Sequence, residues 1–67
     1  MNMDQRIHAA QEIIRQARFQ GKEKEIAERS GFSLSDFNQI MHEVFYPGVD
    51  QLTSLQTAWS AIQTPQQ

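Results

Sequence analysis

Apolar residues recur at three- and four-residue steps along most of this chain, and the breaks between the runs are short. Ile7, Ala10, Ile14 and Ala17 share one face of a stretch from Asp4 to Phe19, with Ile13 and Phe19 widening it. Asp4 is the expected N-cap and Gly21 the left-handed stop. Arg15 and Arg18 fall in the last turns, where a cation suits the negative end of the helix dipole. Lys22 to Ser30 predicts a short second helix with Ile26 and Ala27 inward and its charges outward, ended by Gly31. Ser33 offers a hydroxyl cap to a third helix from about Leu34 to Glu43, with Asp36 three residues on as the reciprocal partner. Phe37, Ile40 and Met41 are its core positions. Phe45-Tyr46-Pro47-Gly48 is a break, because Pro47 drives the residue before it out of helical angles. The last helix, about Asp50 to Gln63, lines up Leu52, Leu55, Trp59 and Ile62 with Ala58 beside them, and residues 64–67 read as a frayed tail.

The expected architecture is therefore all-α: a compact domain of four to five helices spanning 1–67, with an ordered core from about 4 to 63. Its second and third helices have the spacing of a helix-turn-helix. Ala27 is small where two helices cross, Gly31 can take the positive φ of a sharp turn, and Phe32, Phe37 and Ile40 follow at core spacing.

The run Glu-Ile-Ala-Glu-Arg-Ser-Gly-Phe-Ser-Leu-Ser-Asp-Phe-Asn-Gln-Ile, residues 25–40, resembles the lambda-repressor-like helix-turn-helix family of the Xre/Cro type. The likeness extends from about Arg6 to Ile62. Pro47 stands where that family commonly has its loop proline, and Leu52, Leu55, Ala58 and Trp59 keep the register of its next core helix. The resemblance implies a small DNA-binding transcriptional regulator acting as a homodimer. Its second helix, about 22–30, would cross the phosphates, and its recognition helix, about 34–43, would enter the major groove. Three positions depart from the family pattern. Glu23 replaces a glutamine opening the second helix, Leu34 occupies a slot for a base-reading polar residue, and Glu43 stands where a glycine commonly ends the recognition helix.

On that reading Ser35, Asn38, Gln39 and His42 are the base-contact candidates, since Asn and Gln can pair bidentately with adenine and Ser can bond donors or acceptors. Gln39 matches a position where the family often reads a base. Arg18, Lys22, Lys24, Arg29 and Ser33 are the phosphate-contact candidates. Phe45 and Tyr46, beside the loop, are candidates for a dimer or partner interface, because aromatics dominate hot spots. Trp59 reads as core from its spacing.

Charge pulls against DNA. Residues 1–29 carry six cations and five acids, whereas residues 30–67 carry Asp36, Glu43 and Asp50 with no Lys or Arg, for a net charge of −2. Nucleic-acid binders usually show a basic stripe. Ion pairs along the second helix, such as Lys24 with Glu28, are the plain alternative use of its charges. The rival function is a phage-type inhibitor or antirepressor on the same scaffold, engaging a host regulatory protein instead of DNA. The chain has no Cys, and His8 and His42 lack a carboxylate at ligand spacing, so no metal or cofactor is expected. Neither a nucleophile–base arrangement nor a glycine-rich phosphate loop is visible, and no enzyme is expected. With no signal-like start and no long apolar run, a cytoplasmic, bacterial or phage-like setting away from the membrane is the expectation.

Overall fold

The computed structural model describes residues 2–63, which form four helices: α1 (Met3–Phe19), α2 (Glu23–Ser30), α3 (Leu34–Met41) and α4 (Val49–Gln63). Residues 64–67, the expected tail, lie outside the described residues. Helix α4 packs across α1 and α2, while α1 also supports α3. Their inward faces meet in one cluster of Ile7, Ala10, Ile14, Ala17, Ile26, Ala27, Phe37, Ile40, Leu52, Leu55 and Ala58. Trp59, Met41, Ile13 and Ile62 close its margin, partly buried. No helix among the described residues is long and apolar enough to cross a membrane.

Three of the four helix starts carry a local side-chain bond to a backbone N–H. At α1 the cap is Asn2, not Asp4: Asn2 Oδ1 accepts the Gln5 N–H at 2.8 Å, and Gln5 Oε1 accepts the Asn2 N–H at 3.1 Å. Asp4 instead sits in the first turn, where its charge suits the dipole. At α3 the expected Ser33–Asp36 box forms, with both bonds at 3.0 Å. At α4 the Gly48 N–H donates to Gln51 Oε1 at 2.7 Å. Only α2 begins without a side-chain cap; it starts at Glu23, with Lys22 flanking it.

The first three helices also end alike. A left-handed residue follows each, and the N–H after it reaches back to a carbonyl five residues earlier: Lys22 to Ala17, Phe32 to Ala27 and Val44 to Gln39. Gly21 (φ 71°) and Gly31 (φ 81°) serve the first two closures. Glu43 (φ 60°) serves the third, so α3 stops at Met41 rather than running to Glu43.

Three polar bonds fasten α1 to α3 and to the loop beyond it. Arg6 Nε donates to the Pro47 carbonyl at 3.1 Å, and the buried Gln11 donates from Nε2 to the Ile40 carbonyl at 3.1 Å. Arg18 Nη2 donates to Asn38 Oδ1 at 2.7 Å. Phe19, expected to widen the core face, is 87% exposed. At 100° per residue it points roughly 120° away from Ile7, on the far side of the helix from the buried stripe.

Candidate nucleic-acid interface

Burial of Phe37 and Ile40 dictates what α3 shows to solvent. With those two residues inward, Ser35, Asn38, Gln39 and His42 fall at i, i+3, i+4 and i+7 on one stripe, and all four are exposed. The structure thus brings together the four base-contact candidates. No cation belongs to this stripe, but one reaches it. The Arg18 guanidinium, coming from the last turn of α1, spans Glu23 Oε2 at 2.7 Å through Nε and Asn38 Oδ1 at 2.7 Å through Nη2.

The remaining phosphate-contact candidates are spread around α2. Lys24 and Arg29 are exposed and Lys22 is half-buried. Arg29 Nε lies 3.4 Å from Glu25 Oε2, which is the pairing α2 adopts in place of the anticipated Lys24–Glu28. The Ser33 hydroxyl is spent on the α3 cap, although the residue is exposed. Arg15 pairs with Glu12 at 3.2 Å on the outer side of α1, and that guanidinium, with Gln16 second, holds the Glu12 carboxyl below the usual range.

The two aromatic interface candidates separate. Phe45 is half-buried, its ring 6.2 Å from that of Phe32, which in turn stacks on Phe37 at 5.6 Å. Phe45 therefore extends the core, whereas Tyr46 is 38% exposed and reaches the Glu43 carboxylate at 3.4 Å. Lost hydration in the loop, then the Glu43 and Asp4 carboxylates, push the Tyr46 phenol above its ordinary pKa.

Behind the Phe32–Phe45 pair lies an open cleft of about 370 Å³, bordered by Ser30, Asp36, Asp50 and Ser54. It carries carboxylates and no cation. Among the described residues no three His, Asp or Glu side chains converge as metal ligands, and no buried side-chain nitrogen or oxygen lacks a partner.

One buried residue, Gln11, and one contact, Arg18 to Asn38, escape the sequence reading. Gln11 is polar and so is not expected inward, yet it stands four residues after Ile7 and three before Ile14, squarely on the buried stripe. The reach of Arg18 to Asn38 depends on how α1 crosses α3, a relation that no local spacing encodes. Comparison with protein-family models, with curated proteins and with solved structures finds no match.

Proposed function

We propose that this chain is a small DNA-binding regulator of the helix-turn-helix type, with α2 and α3 as the helix pair and α3 as the groove-reading element. The observation that carries this reading is the exposed stripe Ser35, Asn38, Gln39 and His42, backed by Phe37 and Ile40 and joined at Asn38 by the Arg18 guanidinium. Three side chains of hydrogen-bonding type on one short, well-capped helix, with His42 at its C-cap, are suited to base edges. Lys24 and Arg29 on the neighbouring helix, with Lys22 just before it, are suited to phosphates. Pairing as a homodimer through Tyr46 or α4 would set two half-sites about one helical turn apart.

The test is fluorescence anisotropy against mixed duplex fragments at about 50 and 200 mM salt. Binding that weakens as salt rises supports the reading, and Gln39→Ala should then lower affinity for selected over random duplex. No binding at the lower salt overturns it.

A protein-binding module is the second reading, and the Phe32–Phe45 cleft with Asp36 and Asp50 favours it. Aromatic walls beside carboxylates suit a cationic side chain of a partner protein. Stoichiometric capture of one protein, unaffected by nuclease, would support this reading over the first.

A further inference from the structure

Leu34 is an apolar residue that neither the core nor the cap of α3 uses. It is the first residue of the helix and is 46% exposed, whereas Phe37 and Ile40 are fully buried and Met41 packs at the core margin. The helix start is fixed without it. Ser33 and Asp36 exchange two 3.0 Å bonds around it, and the Phe32 ring, just before the cap, stacks on Phe37 at 5.6 Å. That aromatic pair is the apolar clamp that such a helix start calls for. Leu34 thus leaves about half its surface in water with no return in packing. Its place is also particular. It stands one residue before Ser35 and one turn before Asn38, so it borders the polar stripe at its N-terminal end.

We propose that Leu34 is a specificity residue that packs on the C5-methyl group of a thymine in the major groove. This inference rests on the DNA-binding reading above. A groove-reading helix of this kind meets base edges through its N-terminal residues, and Leu34 is the first of them. A leucine side chain has no donor or acceptor, so it cannot sort bases by hydrogen bonding. What it can sort is hydrocarbon, and on the major-groove edge thymine alone carries a methyl group. Contact there takes both the methyl and the exposed leucine surface out of water, which is the burial that Leu34 lacks in the free protein. The polar stripe then reads hydrogen-bonding edges, and Leu34 adds one apolar reading at its start.

In the experiment, wild-type protein first selects a tightly bound duplex from a randomised pool. Each thymine of that duplex is then replaced by deoxyuridine, one position and one strand at a time, and affinities are measured for wild type, Leu34→Ala and Leu34→Met. Deoxyuridine pairs as thymine does and lacks only the methyl group, so the replacement names both the base and the strand in contact. Wild type should lose about fourfold at the contacted thymine, the value of one buried methyl-sized group. Leu34→Ala should bind the thymine and deoxyuridine duplexes equally there, while Leu34→Met, which keeps the apolar reach, should retain the loss. Methyl effects at other thymines should be the same in all three proteins, which separates this contact from changes in DNA shape or a general loosening of the fold. Leu34 is exposed, so Leu34→Ala should keep the helical circular dichroism of wild type. Leu34→Gln gives the same readout should the alanine variant misfold. A selected duplex in which no thymine responds to loss of its methyl group overturns the inference, as does a response that Leu34→Ala leaves unchanged. Failure of wild type to bind any duplex at low salt is a different result. It removes the DNA-binding reading itself, and this inference with it.

Discussion

At the scale of single residues, three helix ends make one comparison. Gly21, Gly31 and Glu43 occupy equivalent left-handed positions, but only the last carries a side chain. The left-handed region costs an L-residue about 1–2 kcal/mol, while a glycine loses about 0.4–1 kcal/mol more unfolded-state entropy than an alanine. Glu43→Gly should therefore stabilise the protein by about 0.5–1 kcal/mol, seen as a rise of a few degrees in the thermal midpoint. The Tyr46–Glu43 hydrogen bond, at 3.4 Å, is too long for its loss to reverse that sign. The same pair yields a pH prediction. The Tyr46 phenol is pushed above 10.0, so the folded state favours its neutral form. That contribution is complete below the unfolded value and is lost as pH rises through the folded one. Tyr46 is the chain's only tyrosine, so phenolate absorbance reads it alone. Its midpoint should lie above that of the unfolded chain, and Glu43→Gln should bring it down; a midpoint unmoved by this substitution would remove Glu43 as a cause.

At the scale of elements, the packing of α1 against α3 rests on a polar residue in an apolar stripe. Gln11 is 8% exposed and its amide donates to the Ile40 carbonyl. Gln11→Met keeps the length of the side chain and removes the donor, yet the Ile40 carbonyl still receives the Glu43 N–H at 3.0 Å. The acceptor is not orphaned, so urea unfolding should show a loss of about 1 kcal/mol, the net value of one hydrogen bond, and not the larger penalty of a bare buried carbonyl. The elements themselves are legible in the sequence, because their signals are local. Ser33 with Asp36, Gly21, Gly31 and Pro47 mark ends within a few residues of where the helices stop. Phe19 misleads when hydrophobicity is weighed ahead of its angle on the helix. Asn2 is masked by Asp4, which stands two residues on and offers the same capping chemistry. Glu43 stands out as a departure from a glycine slot, but its left-handed φ comes from the closure of α3 over Gln39, which only the folded backbone displays. The α3 stripe is likewise readable from spacing. The Arg18–Asn38 bond joins residues on two helices and is not.

At the scale of the whole molecule, the question is how a chain of net charge −2 would hold a polyanion. Among the described residues Arg15 pairs with Glu12, Arg18 with Glu23 and Arg29 with Glu25. A fourth, Arg6, donates to the Pro47 carbonyl and lies toward the other end of α1. Lys22 and Lys24 form no ion pair among the described residues. The pairs differ in how readily they give way. Arg29–Glu25 is exposed, long at 3.4 Å and single, so it is worth at most about 1 kcal/mol and yields to a phosphate. Arg18 is held by two short bonds from two helices and stays with Asn38. If the chain binds DNA as proposed, each copy should then neutralise about three phosphates, through Lys22, Lys24 and Arg29, for a slope of about −2.7 in log affinity against log salt. Between about 50 and 200 mM salt that slope predicts a loss of about 40-fold per subunit. Release of Arg18 as well would make the loss about 150-fold, and Lys22 and Lys24 acting alone would make it about 12-fold. Glu25→Gln separates these cases further. It frees Arg29 in advance, so affinity should rise at every salt concentration while the slope holds, since the same three cations meet the same phosphates. A slope that steepens in this variant would mean that Arg29 stays on Glu25 in the wild-type complex. Two lysines would then be all that this surface offers to DNA, and the acidic cleft beside Phe32 and Phe45 would become the better guide to the partner.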